Sequence, residues 1–228
     1  MIFICNTEDV SPASALLPTT LVLSLRGVDV IRNGHPALRG VDARAHAGRL
    51  LVVVGPNGSG KSTLLSVAAG LLPPDRGVVE TRSHTRIALL PQSTALAAHL
   101  PLTVTDVVAM GSWARLGAWR PSRRADRHAV AEAIAAVELV DLARRPIGTL
   151  SGGQRQRALL AQVLVQRADL VLLDEPMAGL DARSREIIAA SIVRLTEAGA
   201  AVIAVTHDPA EFITIDDVLE LNDGRVSG

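Results

Sequence analysis

From Leu21 onward the chain alternates short apolar runs with turn signals. A run LVLSL begins at Leu21, Asn33-Gly34 follows, and a second run covers Leu38 to Ala45, a spacing that predicts antiparallel strands. Leu50 to Val54 is almost continuously apolar, the pattern of a central strand buried on both faces of a parallel sheet. A helix is predicted over Ser62 to Leu71, stopped by Pro73-Pro74, and a strand over Ile87 to Leu90 that closes at Pro91-Gln92. Between Ala95 and Thr149 the pattern turns helical, with a short segment at Val104 to Met110 and a longer Ala-rich one at Arg124 to Val140. Alternation then resumes. Strands are expected at Leu170 to Leu173 and Ala201 to Val205, and helices over Gly152 to Gln166 and Ala182 to Glu197. The fold class is therefore α/β: a mainly parallel sheet, an antiparallel β subdomain before it, and a helical insertion over about residues 95–165. Residues 1–20 have no periodicity and read as a flexible lead-in or an extension from an upstream start, leaving 21–228 as a single domain.

Composition narrows the class of protein. A chain of 228 residues with 48% hydrophobic content can bury one sizeable core. Basic and acidic residues are equal at 23 each, so no overall field draws the chain to nucleic acid, and no nucleic-acid partner is expected. The single cysteine, Cys5, rules out a disulfide framework and fits a reducing compartment. No apolar run reaches the length of a membrane span, and MIFICNTEDV lacks the basic flank and long apolar stretch of a secretion signal, so an intracellular location is expected.

Residues Leu51 to Thr63, LVVVGPNGSGKST, match G-x-x-x-x-G-K-[ST] in full at Gly55, Gly60, Lys61 and Ser62. Gly55, Pro56, Asn57, Gly58, Ser59, Gly60, Lys61, Ser62 and Thr63 form a loop between a buried strand and a helix. Its glycines let successive N–H groups converge on phosphate oxygens, and the helix directs its positive end to the same point. Lys61 is expected to reach the β- and γ-phosphates, and the Ser62 hydroxyl to coordinate Mg²⁺. An ordinary Gly-rich turn has no reason to match at all these positions in this setting, so the chain is expected to bind a nucleoside triphosphate.

Three further clusters fall where phosphoryl chemistry needs them. The run LVLLDE delivers Asp174 and Glu175 to the carboxyl end of a buried strand, where ligands bind in open α/β sheets. Asp174 can hold Mg²⁺, and Glu175, pointing elsewhere because strand side chains alternate, is free to polarise an attacking water. AVIAVT delivers His207 to the same edge, as a candidate γ-phosphate contact, and Gln92 at another strand end can touch Mg²⁺ or water. Leu150 to Gln154, LSGGQ, places Ser151 as an N-cap and leaves Gly152 and Gly153 with bare N–H groups at a helix start. One ATP is already held by the first loop; a second such terminus makes sense if it serves an ATP on another subunit.

The phosphate loop, Gln92, LSGGQ, LVLLDE, the segment Ala178-Gly179-Leu180-Asp181 and His207 occur in the order and approximate spacing of the ABC-transporter ATPases. From about Leu21 on, the chain resembles that family. The resemblance implies a P-loop ATPase core and a homodimer in the ATP-bound state, arranged head to tail around two ATP molecules with Mg²⁺. Each ATP would lie between one subunit's phosphate loop and Ser151, Gly152, Gly153 and Gln154 of the other. It gives Glu175 the role of catalytic base, His207 that of γ-phosphate contact, and Gln92 that of the link to the membrane partner. It further implies a peripheral position on the cytoplasmic face of the membrane, an integral membrane permease as partner, and indirectly an extracellular or periplasmic solute-binding protein.

Two details refine the resemblance. The family places an adenine-stacking aromatic in the early strands, whereas VDVIRNGHPAL aligns Arg32 there and the chain has no tyrosine. A guanidinium can stack on a base, so Arg32 is the candidate base contact, with tolerance of GTP expected. The stretch PLTVTDVVAMG from Pro101, followed by WARLGAWR from Trp113, is similar to the ATPases of zinc and manganese importers. It implies metal-ion import, zinc first, with manganese, an iron chelate or a non-transport ABC ATPase as alternatives. Trp113 and Trp119 either line the groove for the membrane subunit or fill the insertion's own small core.

Overall fold

The structure is a computed structural model that describes residues 20–92, 102–113 and 124–227. The lead-in before Thr20, with Cys5, and the part of the insertion that carries Pro101 and Trp119 lie outside the described residues. Strands β1 (Leu21–Arg32) and β2 (His35–His46) form an antiparallel hairpin around Asn33-Gly34, as the turn pair and flanking apolar runs predict. Strand β4 (Arg76–Thr81) pairs with the other side of β1, giving a three-stranded sheet in the order β2-β1-β4.

The larger sheet runs β5-β6-β7-β3-β8-β9, from β3 (Leu50–Val54), β5 (Ile87–Leu90), β6 (Leu170–Asp174), β7 (Ala201–Thr206), β8 (Asp217–Asn222) and β9 (Arg225–Ser227). Its first five members are parallel and β9 is antiparallel. The two faces of β3 sort by alternation: Leu50 and Val52 join the core that holds the helical insertion, while Leu51 and Val53 face the core shared with the three-stranded sheet. Burial of each such side chain is worth roughly 1.5–3 kcal/mol, so the sheet is held from both sides.

Helices α1 (Lys61–Ala68), α2 (Val104–Met110), α3 (Arg124–Ala136), α4 (Gly152–Gln166) and α5 (Ala182–Glu197) cover these faces. Helix α1 ends earlier than predicted, and not because of the prolines. Gly70 and Leu71 donate their N–H groups to Val67 and Ser66, so a glycine-type cap stops the helix before Pro73. Helix α3 likewise stops short of Val140. Glu138 adopts φ 54 and Leu139 donates back to Ile134, turning the chain so that Leu139 is buried at 1% exposure. Burial of Leu139 outweighs the preference of a Glu for helix. Helices α2 and α3 both lie against α4. Trp113, just past α2, is 47% exposed, so it fills no core there. No helix among the described residues is long and apolar enough to cross a membrane.

Candidate nucleotide site

Parallel register decides which residues meet. Val54 pairs with Thr206 and Asp174 with Val205, so the chain leaves β3, β6 and β7 at one edge of the sheet. Gly55, Glu175 and His207 are the next residues on those three strands. Sequence runs far apart thus converge because parallel strands end together.

The phosphate loop wraps this edge tightly. A Cβ on Gly55 would meet the Leu221 carbonyl oxygen at 2.0 Å, and one on Gly60 (φ 104) the Ala37 carbonyl oxygen at 2.4 Å. Both positions therefore exclude any side chain. The buried Lys61 ammonium donates to the carbonyls of Gly55 and Pro56 at 2.7 and 2.9 Å and has no ion-pair partner among the described residues. A buried cation neutralised only by carbonyl dipoles is a ready receptor for an anion. The Ser59 hydroxyl is buried in the same loop with no hydrogen-bond partner among the described residues.

Ser62, in the first turn of α1, donates its hydroxyl to Asp174 Oδ1 at 3.3 Å. Burial pushes the Asp174 carboxyl up from its ordinary value, and the charge of Glu175 adds to this, against the Ser62 hydrogen bond and Lys61. A hydroxyl and a partly desolvated carboxylate side by side suit a small hard cation, which draws oxygen ligands and favours the ionised carboxylate. Gln92, the third candidate, uses its amide nitrogen on Glu175 Oε2 at 3.1 Å, which leaves only its amide oxygen for a cation.

Glu175 sits at φ 46, an unusual backbone state for a residue with a side chain, and its N–H is tied to the Val205 carbonyl at 3.0 Å. Its Oε2 lies 3.8 Å from His207 Nδ1, so Gln92 and His207 flank one carboxylate oxygen. A cavity of about 450 Å³ in front of the loop is lined by Asn57, Gly58, Gly60 to Thr63, Gln92, Glu175 and Ala37.

One predicted contact of this chain's own site stands elsewhere, and the residues expected to serve another subunit's ATP lie off this cavity. Arg32 is exposed beside the β1–β2 turn, paired with His35, and does not line this cavity; the wall contributed by the early strands is Ala37. Ser151, Gly152, Gly153 and Gln154 do not line it either. Gln154 closes a capping box instead: the Ser151 hydroxyl accepts from Gln154 N–H at 3.2 Å, and Gln154 Oε1 accepts from Ser151 N–H at 3.0 Å. The Gln154 side chain is thus spent on its own helix, leaving the N–H groups of Gly152 and Gly153 as the open end of α4. Gly152 borders a second cavity of about 500 Å³, shared with Gln92, Glu175, Arg155 and residues 178–180. Sequence reasoning missed Ala37 and Thr206. Only the second carried a signal, as the one hydroxyl at the end of the apolar run AVIAVT.

This geometry has close parallels among known proteins. The family described as ABC transporter matches residues 38–178. The hemin import ATP-binding protein HmuV of Streptomyces coelicolor is 40% identical over 230 residues, spanning 95% of this chain and 80% of that protein. The zinc transport system ATP-binding protein TroB of Treponema pallidum is 42% identical over 198 residues, spanning 82% and 73%. The manganese transport system ATP-binding protein MntB of Bacillus subtilis is 36% identical over 192 residues, spanning 82% and 77%. A solved chain from an inward-facing ABC transporter superposes with a TM-score of 0.80 at 28% identity, over 92% of this chain and 82% of its own. On these likenesses the chain belongs to the ABC-transporter family, as one of its ATP-binding, ATP-hydrolysing subunits.

Proposed function

We propose that the chain energises the import of a metal ion, zinc first, through a separate membrane permease, working as a homodimer on the cytoplasmic face of the membrane. Residues 21–228 act as one ATP-binding domain with a helical subdomain at about 95–165. The observation that supports the dimer is that neither Gly152 nor Gly153 lines the cavity that holds Lys61; the cavity bordered by Gly152 is a second one, adjoining the first at Gln92 and Glu175. A single ATP is served by one chain's phosphate loop and a second chain's α4 terminus. A solute-binding protein outside the membrane delivers the cargo to the permease.

In this reading Lys61 binds the β- and γ-phosphates, and Ser62 and Asp174 hold Mg²⁺, with the Gln92 amide oxygen in reach as a further ligand. When bound, the ion supplies charge neutralisation at the phosphates. Glu175 accepts a proton from the attacking water, a contribution of about 10²- to 10⁴-fold for a positioned base. His207, beside it, contacts the γ-phosphate. Zinc is favoured by relatives whose names record zinc transport; manganese and hemin relatives supply the competing cargos. The test is to purify the tagged chain with its membrane partner, reconstitute the complex in vesicles and follow ATP-dependent uptake of zinc, manganese and hemin separately. Zinc accumulation that outruns the other two supports the proposal. Uptake of hemin alone, or retention of nucleic acid with no membrane partner, overturns it.

A further inference from the structure

We propose that Thr206 is the positioning residue that fixes His207 against the ATP site; this rests on the reading of His207 as a γ-phosphate contact. Strand β7 is buried throughout, and its last residue, Thr206, is 1% exposed although it carries a hydroxyl. A buried hydroxyl needs partners, and this one finds them around the histidine. Thr206 Oγ1 accepts from the Asp208 N–H at 3.0 Å, and lies 3.3 Å from both the Asp208 carbonyl and Glu211 Oε2 as donor. The bond from 208 back to 206 bridges His207 and closes a local turn. Asp208 in turn accepts from the Ala210 N–H at 3.0 Å, so the segment from 206 to 211 is folded around one side-chain oxygen.

His207 itself is a poor candidate for self-orientation. Its side chain is 59% exposed, and its nearest ionic neighbour, Glu175 Oε2, is 3.8 Å away. The direction of the imidazole therefore depends on the backbone that carries it. Thr206 anchors that backbone from the strand side too, because it pairs in register with Val54, the residue that leads into Gly55 and the phosphate loop. The hydroxyl thus sets the histidine turn relative to the phosphates. Without it, the Asp208 N–H and the Glu211 carboxylate lose a buried partner and the turn is free to reorganise. Displacement of a contact group by about 1 Å can cost about 10²-fold in rate without touching ground-state binding.

The experiment is a cycle on the full chain, measuring kcat and KM for ATP in the native protein, Thr206→Val, Thr206→Ser, His207→Ala and the Thr206→Val/His207→Ala pair. Expected is a fall in kcat of about tenfold or more for Thr206→Val with KM within about twofold, near-native turnover for Thr206→Ser, and no further loss from Thr206→Val once His207 is gone. Should Thr206→Val fail to fold, Thr206→Ala and Glu211→Gln carry the same comparison. Native kcat in Thr206→Val beside an impaired His207→Ala overturns the proposal and spares the reading of His207. So does an equal loss from Thr206→Val in both backgrounds, or a Ser variant as poor as the Val one. Native turnover in His207→Ala overturns both.

Discussion

Glu175 accepts a hydrogen bond from the Gln92 amide at 3.1 Å, so the carboxylate beside the phosphate loop is held by the end of a neighbouring strand, β5. Removing its charge should leave the nucleotide's own contacts intact. Glu175→Gln is predicted to keep ATP binding while lowering kcat by about 10²-fold or more, the scale of a lost general base. Lys61→Ala should instead abolish ATP binding, because it removes the buried cation of the cavity. Equilibrium binding of a fluorescent ATP analogue, run beside phosphate release, separates the two effects.

The paired glycines of α4 differ in surroundings. A Cβ on Gly153 would lie 2.4 Å from the Ser184 hydroxyl and 2.8 Å from Asp181 Oδ2, whereas one on Gly152 meets nothing within 4 Å. Gly153→Ala is therefore predicted to lower the melting temperature, by an amount that overpacking of about 1–3 kcal/mol would produce. Gly152→Ala should leave thermal stability within about 0.5 kcal/mol of native, as an uncrowded surface change does. A loss of ATPase activity in Gly152→Ala at unchanged stability would then report a role of the α4 terminus in turnover rather than in folding. Scanning calorimetry and turnover on both variants check this.

Arg86 and Asp169 give a pH dependence of known sign. Burial alone would raise the Asp169 carboxyl, but hydrogen bonds from the Arg86 side chain and N–H, with Arg86 and Arg82 charge, outweigh it and hold it below the usual carboxylate range. Its folded value lies below its unfolded one, so its contribution is present above about pH 4 and is lost as the pH falls through the folded value. Asp169→Asn is predicted to destabilise the protein at pH 7 by about 1 kcal/mol or less, since the pair is partly exposed, with the difference closing in acid. Melting curves at pH 7 and at pH 3 or below test the sign.

With Arg32 outside the cavity and Ala37 as its neighbouring wall, no aromatic from the early strands grips the base. GTP is predicted to support turnover at a rate comparable to ATP, and Arg32→Ala to leave that ratio unchanged, since its guanidinium lies outside the cavity. Competition between the two nucleotides in the phosphate-release assay reads this directly; turnover with ATP and none with GTP in the native chain contradicts it.

Much of the core was legible because its apolar runs are long and uninterrupted. Leu50–Val54, Ile87–Leu90, Gly152–Gln166 and Ala182–Glu197 lie where periodicity placed them. The strands β4, β8 and β9 were not, because they are partly exposed and polar: in DVLELN only Leu219 and Leu221 are buried. Helix ends escaped for a different reason, since at Glu138 the burial of the next residue, Leu139, in the tertiary core decides the backbone. At the site, Lys61, Ser62, Gln92, Asp174, Glu175 and His207 were readable singly. Their meeting is a property of strand register, and the inward turn of Gln154 a property of its cap, neither of which a linear pattern displays.

The sharing of one ATP between two copies is tested most directly by light scattering on Glu175→Gln eluting from a size-exclusion column, with and without ATP and Mg²⁺. The mass should double from that of one 23.9 kDa chain when ATP is present, and the doubling should vanish when Gly152→Ala is added. A single-chain mass with saturating ATP would contradict the shared site.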